Sequence, residues 1–312
     1  MKLIKSSRLT FFLVMSISIN VPVFAQQSMA FSPLDTLVIE KVLGMKGKYN
    51  NGEYKVTVPQ NDLNIMVDGF KIIPAMGLGT WIAFSPSQNG TMIMGDIILT
   101  ESDLRPVQKE VIQQGLTITA IHNHFVRNHP NVIYMHIGGS GNLEQMSQKA
   151  KAVLEKVKES RGGDPSKGTA SNEAVANTLD TKKLDEILGY HADMTKGVYK
   201  YTIGRPDVHL LEHGVSVSTF LGFNTWAAFQ GSPDHAAVAG DFTMLEDEVA
   251  SVIKTLVEHN IEVVAVHNHM VHEQPRIFFL HYWGVGNAED LARGLKAALE
   301  MTGKNKKDMK GM

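Results

Sequence analysis

The amino-acid sequence predicts an α+β fold, built as a tandem duplication of a strand-helix-strand-strand-helix unit that forms one body with twofold pseudo-symmetry. When the chain is aligned with itself at an offset of 145, residues 43–155 match residues 188–300 without a gap, with 34 identities in 113 pairs. Within each copy, short β-branched and aromatic runs alternate with apolar residues at helical spacing. Because one unit alone would leave an apolar sheet face uncovered, we expect the two copies to pack together.

The elements of the first copy follow from these patterns. Asn142 is expected to cap a helix, and the glycines just before it are expected to end a strand. The second copy is expected to repeat the same order. The predicted elements are strands at 80–84, 91–99, 116–122 and 132–137, and helices at 103–114 and 143–157.

Composition divides the chain further. A basic start, a short apolar run and a small-residue pattern ending at Ala25 predict a cleaved export signal, and hence a periplasmic or secreted protein with no membrane span after cleavage. An uncleaved N-terminal anchor is the alternative. The predicted segments are a signal peptide (1–25), repeat 1 (32–158), a Gly/Ser/Lys/Asp-rich linker (159–178), repeat 2 (179–302) and a flexible Lys-rich tail (303–312).

The charge and cysteine counts exclude several classes of function. With 30 Lys and Arg against 32 Asp and Glu, the chain has no basic surplus for a nucleic-acid backbone. With no cysteine, it cannot form disulfides, thiolate metal sites or a thiol nucleophile. We therefore expect a small-molecule ligand or substrate as the partner. The oligomeric state is not predicted.

Three histidine positions are common to both copies. The pattern His-x-His-x11-His occurs in each, whereas every other histidine in the aligned region faces a different residue type. On a strand, residues i and i+2 point to the same face about 6.6 Å apart, and a turn at Pro130 would return the third histidine on a neighbouring strand. The shared positions are His122, His124 and His136 in the first copy and His267, His269 and His281 in the second.

This pattern predicts a metal site in each copy. Three neutral imidazoles with an open fourth position are the usual ligands of catalytic zinc, so Zn²⁺ is the expected cofactor. All-nitrogen ligands also suit Cu²⁺, Ni²⁺ or Fe²⁺. Histidines that simply hydrogen-bond to the backbone of a core are the alternative. One site, two sites, or one functional and one vestigial site all stay open.

Carboxylates near the histidines are the candidate acid–base residues. Asp96 aligns with Asp241, and Glu101 aligns with Glu246. In each copy, the aspartate and the glutamate precede the histidine pattern. Such groups could bind the metal, orient a histidine or transfer protons. The alternatives are a turn or helix-entry role for the aspartates and a favourable position in the first turn of a helix for the glutamates.

Two other aligned pairs receive structural interpretations. Trp81 and Trp226 are interpreted as core anchors in preference to walls of a pocket. Asn123 and Asn268, which lie between the first two histidines of each copy, are expected to bond to the backbone.

These residues resemble a known family. Tyr54-Lys55, Gly77, Trp81 and Phe84, Gly95-Asp96 and the histidine pattern are similar to the LppY/LpqO family of exported bacterial proteins, which has no assigned activity; the resemblance covers about residues 32–300. More distantly, the duplicated histidine pattern is similar to the superfamily of acetolactate decarboxylase, whose enzymes hold zinc with three histidines.

The sequence therefore favours an exported zinc-dependent hydrolase or lyase that acts on a small carbonyl or ester substrate. The alternative is a non-catalytic cell-envelope protein whose metal is structural or scavenged. Whether the protein is an enzyme stays open at this point.

Overall fold

Each repeat builds one six-stranded antiparallel sheet with helices on one face. The structure is a computed structural model that describes residues 32–303; the predicted signal peptide and the predicted Lys-rich tail beyond residue 303 lie outside the described residues. Repeat 1 contains α1 (Thr36–Leu43), β1 (Lys48–Asn50), β2 (Glu53–Pro59), β3 (Ile65–Val67), β4 (Phe70–Ile72), β5 (Gly79–Ser87), β6 (Gly90–Thr100), α2 (Glu101–Gln113), β7 (Thr117–His122), β8 (Val132–Gly141) and α3 (Leu143–Arg161).

The second repeat reproduces the first element by element at the same offset of 145. It adds one short strand, β16, whose equivalent in repeat 1 is only an isolated bridge between Met66 and His129. Repeat 2 contains α4 (Thr181–Leu188), β9 (Asp193–Thr195), β10 (Val198–Gly204), β11 (Leu211–Glu212), β12 (Val215–Ser216), β13 (Asn224–Gly231), β14 (Ala236–Leu245), α5 (Val249–Glu258), β15 (Glu262–His267), β16 (Glu273–Gln274), β17 (Ile277–Gly286) and α6 (Ala288–Leu299).

The strand orders of the two large sheets are equivalent. They are β1-β2-β5-β6-β8-β7 in repeat 1 and β9-β10-β13-β14-β17-β15 in repeat 2, and every pair is antiparallel. Short strands form two smaller sheets, β3-β4 and β12-β11-β16. The predicted α+β fold with two similar units is confirmed.

Side-chain alternation along the strands gives each large sheet two apolar faces. On β6, Ile93 and Ile97 pack with the helices of repeat 1, whereas Met94 and Ile98 point to the opposite face. On that face, residues of both repeats form common clusters, such as Ile98 with Ala239. The two repeats therefore share a core between their sheets, as the uncovered face predicts.

The bounds of several elements differ from the prediction by a few residues, most clearly at the end of β8. Strand β8 continues through the glycines at 138–141 and does not end before them. The reason is packing: a Cβ on Gly139 would lie 2.7 Å from Leu116 Cδ2, so glycine lets the neighbouring segment cover this end of the strand. Asn142 caps α3 as predicted, accepting from the backbone N–H groups of Glu144 and Gln145.

The segment predicted as a linker is attached to repeat 1. Helix α3 extends into it, and Arg161 at its end donates to Asp103 at 2.5 Å and to Asp62 at 2.9 Å. Ser171 is fully buried and donates to the carbonyl of Gln60. Polar composition therefore marks this connection, but its hydrogen bonds hold it in place. Within residues 32–303, no helix has the length and apolar character needed to cross a membrane.

Candidate metal centre

The strand order that the two repeats share brings the paired histidines to the face between the repeats. His136 and His281 lie in the middle of β8 and β17, on the side opposite the helices. His122 and His267 are the last residues of β7 and β15. The end of β7 at residue 122 agrees with the predicted bound. His124 and His269 lie in the loops that follow β7 and β15.

All six histidines meet in one cluster, called here the histidine cluster. His122 and His267 stack across the boundary between the repeats with ring centroids 3.9 Å apart. His124 lies 3.7 Å from His281, and the equivalent pair, His136 and His269, is 4.1 Å apart. The two equivalent pairs across the boundary show the same twofold relation as the two sheets.

Two of three candidate metal-binding groups cross the boundary between the repeats. The sequence predicts one triad of histidines per repeat, whereas the structure forms two groups with ligands from both repeats and one within repeat 1, each with ligand atoms within 4.8 Å of one another. His122 belongs to two of these groups and His267 to two. The groups are His122 with His267 and His281, His136 with His267 and His269, and Asp96 with His122 and His124.

Most of the ring nitrogens have no partner. Nine of the twelve are buried without a hydrogen bond among the described residues, including both nitrogens of His122, His124 and His267. His136 Nδ1–H donates to the Gly95 carbonyl at 3.3 Å, and the equivalent His281 bond to Gly240 is 3.1 Å, so each presents an unprotonated Nε2 to the cluster. Because unpartnered buried polar atoms are costly, the donor set fits a divalent transition metal.

The electrostatics of the cluster favour neutral imidazoles, the form that binds metals. Burial lowers the pKa of His136 and His281 to about 3. Burial and the neighbouring imidazoles lower the pKa of the other four well below the usual value. Protonation near pH 7 therefore does not compete with a metal.

Asp96 and Asp241 lie beside the histidine cluster. They are not turn or helix-entry residues but lie within β6 and β14, in register with His136 and His281. Asp96 Oδ2 is 3.8 Å from His124 Nε2, and Asp241 Oδ2 is 3.5 Å from His269 Nε2. Burial raises the pKa of Asp96 to about 8 and that of Asp241 well above its usual value.

Glu101 and Glu246, the other candidate acid–base residues, are not brought to the cluster. Both are exposed, near the starts of α2 and α5. The Glu101 carboxylate accepts from the Asn131 side chain at 3.0 Å. The helix-start interpretation fits Glu101, since the N-terminal turn favours a negative charge.

A cavity of about 710 Å³ opens over the cluster and has walls from both repeats. Its floor contains His124, His136 and Asp96 together with their counterparts in repeat 2. Trp81 and Trp226, interpreted from the sequence as core anchors, line it and pack against core clusters as well. The two tryptophans are therefore both core anchors and walls of the cavity.

Glycines let the tryptophans reach across the repeat boundary. Gly77 has φ +97°, and a Cβ there would lie 3.1 Å from Trp226 Cη2 and 3.3 Å from His124 Nδ1. In the opposite direction, a Cβ on Gly222 would lie 3.5 Å from Trp81. The positive φ favours glycine at both positions, and at Gly77 the close approach of Trp226 adds a steric reason.

Sequence reasoning assigned no chemistry to three residues of the site. Lys55 and Lys200 line the cavity, and Tyr134 stacks on His124 with ring centroids 3.4 Å apart. The lysines are identical in the two copies, so the self-alignment contained the signal for them. Tyr134 faces Phe279 in the alignment and gave no such signal.

The asparagines between the first two histidines have the predicted backbone role. Asn123 Nδ2 donates to the Val132 carbonyl at 3.0 Å, and Asn268 Nδ2 donates to the Ile277 carbonyl at 2.7 Å. Each bond ties the histidine-bearing loop to the start of the following strand.

Comparison with protein families places these features in context. The chain matches the profile of a family described as Domain of Unknown Function (DUF1259) twice, over residues 38–156 and 182–301. The chain belongs to this family. The two DUF1259 segments follow the two repeats, and every histidine and aspartate of the site lies inside them. The family description names no activity.

Other comparisons add no functional information. No curated protein matches the chain. Among solved structures, it is similar to the trimeric bacterial microcompartment shell protein PduB, with 8% identity over 80% of this chain and 86% of that one, and a TM-score of 0.19. It is also similar to EtuB from Clostridium kluyveri, with 8% identity over 82% and 88% of the two chains and the same TM-score. Scores this low support no argument about function or assembly.

Proposed function

We propose that this protein is an exported metal-dependent enzyme, a hydrolase or lyase that acts on a small carbonyl or ester substrate. The single observation that carries the proposal is the histidine cluster: six buried imidazoles, nine of whose ring nitrogens lack a partner among the described residues. Four of the six line the floor of the cavity, and His122 and His267 lie behind them in the same cluster. The similarities to the LppY/LpqO family and to the acetolactate decarboxylase superfamily are consistent with this proposal and form part of it.

In this proposal the metal is Zn²⁺ or another divalent transition metal, held by imidazoles of both repeats. His122 and His267 are its central ligands because each belongs to two of the three candidate groups. When bound, such an ion polarises a substrate carbonyl and lowers the pKa of water. The shared groups favour one centre per chain over a separate site in each repeat.

Asp96 and Asp241 are the proposed acid–base residues. Each is buried, borders the cavity and has an unpartnered Oδ1 within the described part of the chain. Because burial raises the pKa of Asp96 to about 8, its carboxyl holds a proton at neutral pH in the metal-free protein. A carboxyl in this state can donate a proton to a leaving group and take it back afterwards.

The non-catalytic alternative also has an observation in its favour. Six imidazoles exceed the three protein ligands of a usual catalytic zinc site. A protein that stores or transports metal at the cell envelope would use such a surplus. This alternative predicts tight reversible metal uptake and no turnover.

Metal analysis and turnover assays test the proposal together. The purified full chain, stripped and reloaded with Zn²⁺, is expected to retain about one ion per chain and to cleave members of a panel of small esters and 2-oxo or 2-hydroxy acids. His259→Ala provides a matched control, since His259 is an exposed histidine bonded to the Thr255 carbonyl. Metal retention without turnover on any substrate favours the alternative, and less than about a tenth of an equivalent of metal contradicts both.

A further inference from the structure

One lysine from each repeat lines the cavity. Lys55 on β2 and Lys200 on β10 occupy equivalent positions, and both line the cavity above the histidine cluster. The Lys55 ammonium lies 4.4 Å from the centroid of Trp81, and that of Lys200 lies 4.0 Å from the centroid of Trp226. These cation–π contacts hold the two charges at defined places on the walls.

Neither lysine forms an ion pair with a carboxylate of the described residues. Within residues 32–303, no Asp or Glu oxygen lies within 4.0 Å of either ammonium group. Glu53, the acidic residue nearest to Lys55 in sequence, instead accepts a hydrogen bond from Ser218 Oγ at 2.5 Å. Each ammonium group therefore lacks a carboxylate in direct contact, although Glu53 attracts that of Lys55 and Asp241 that of Lys200 at longer range.

The surroundings make these charges costly. Burial lowers the pKa of both lysines to about 8, more than the opposing attraction of Glu53 for Lys55 and of Asp241 for Lys200. The nearby charge of Lys200 lowers the pKa of Lys55 further. An anion between the two ammonium groups would remove this repulsion and supply charge-assisted hydrogen bonds. A cavity of about 710 Å³ is large enough for a small organic molecule.

We infer that Lys55 and Lys200 together bind the oxyanion group, carboxylate or phosphate, of a small ligand whose other end faces the histidine cluster. The inference deepens the proposed function and rests on it, because the cluster acts on the part of the ligand that the lysines do not hold. It assigns the substrate class as a small organic acid or phosphate ester. The twofold arrangement gives the anion one ammonium group from each repeat.

Calorimetric titration of the zinc-loaded full chain with succinate and, separately, with inorganic phosphate tests this inference. Lys55→Met and Lys200→Met keep the aliphatic stem over each indole and remove the charge. Each is expected to weaken binding of the preferred anion by about tenfold or more, and the double variant further. Lys151→Met, an exposed lysine on α3, is the matched control and is expected to leave the affinity unchanged. The arm with the tighter binding identifies the oxyanion as carboxylate or phosphate.

The outcomes separate this inference from the proposed function. Metal content is measured in every variant, and the lysine variants are expected to retain the wild-type amount with unchanged folding. Anion binding that is equal in the wild type and both lysine variants, or absent at about 10 mM, overturns the inference even where the metal is present. A chain that retains no metal, but binds the anion through the lysines, contradicts the proposed function and leaves the oxyanion site standing.

Discussion

The imidazole rings of His122 and His267 stack 3.9 Å apart, although the two residues belong to different repeats. They occupy equivalent positions in the duplication, so the pseudo-twofold relation places each beside its own counterpart. Both nitrogens of each ring lack a partner in the described chain. Two bare imidazoles in contact are poorly compatible with a dry core, and a bound cation offsets this cost.

Removal of either central histidine is expected to weaken metal binding strongly, because it leaves only one of the three candidate groups intact. His122→Ala and His267→Ala each disrupt two candidate groups, so affinity should fall by more than the about 10–100-fold typical of lost outer-shell partners. Metal content after dialysis and competition with a chromophoric chelator measure this effect. Retention of half the metal in either variant would instead indicate independent sites in the two repeats.

Asp96→Asn should separate metal affinity from the stability of the metal-free protein. The pKa of Asp96 is raised to about 8, so below that pH its carboxyl is already neutral and asparagine is a close substitute. We expect nearly unchanged unfolding of the metal-free protein at pH 6.5 and metal affinity about 10–100-fold weaker. Chemical denaturation and metal titration provide the two readouts, with Asp234→Asn, at an exposed loop position, as the control. Unchanged metal affinity would remove Asp96 from the site.

The stability of the metal-free protein is expected to fall in mild acid. The histidine pKa values are lowered in the folded state, to about 3 for His136 and His281, so below pH 6.5 the unfolded chain takes up protons that the folded chain does not. Asp96 and Asp241 act in the opposite direction, since their raised pKa values cost stability as pH rises from about 4 toward about 8. Between about pH 4 and 6.5, the stability lost through the six histidines on acidification is expected to exceed the stability gained through the two aspartates.

Thermal unfolding at pH 5 and pH 7, with chelator or with Zn²⁺, measures this balance. We expect a lower melting temperature at pH 5 in chelator and a smaller difference with the metal present. A metal-free protein that is equally stable at both pH values would show that the histidines are accessible to protons in the folded state.

Gly77→Ala is expected to damage both the fold and the site. Gly77 has φ +97°, and the added methyl group would approach Trp226 and His124 to within 3.3 Å. Gly69→Ala is the matched control, because Gly69 has φ +86° but nothing within 4 Å of the added atom. Backbone strain of about 1–3 kcal/mol is common to both, and overpacking adds about 1–3 kcal/mol only in Gly77→Ala.

Denaturant unfolding and metal titration of the two glycine variants give the comparison. Weaker metal binding is expected only for Gly77→Ala, through displacement of His124. Equal losses of stability, with metal binding unaffected in both, would mean that Trp226 adjusts to the added methyl group without disturbing the cluster.

Much of the fold could be predicted from the sequence because the duplication is strong. The offset of 145 identified the repeats, and short β-branched and aromatic runs bounded by turn residues placed β5 to β8 to within a few residues. The early elements, α1 and β1 to β4, were not predicted. Strand β8 was predicted to end too early because glycines that usually break a strand here allow close packing against Leu116.

The site was predicted in its residue types but not in its assembly. The six histidines and two aspartates could be identified as aligned pairs, but alignment cannot show that the face between the repeats joins both sets. Glu101 was chosen by the same alignment rule, and a position at a helix start explains its identity without a site. Lys55 and Lys200 could be recognised as site residues only from the cavity that they line, since a single lysine on a strand forms no recognisable spacing pattern.

The most direct test of the shared centre is an anomalous difference map from crystals of the zinc-loaded protein, recorded on both sides of the zinc edge. We predict a peak inside the histidine cluster, with Nε2 or Nδ1 atoms of both repeats at about 2.0–2.1 Å from it. A cluster without an anomalous peak, or a zinc ion whose ligands all come from other parts of the surface, would contradict the account.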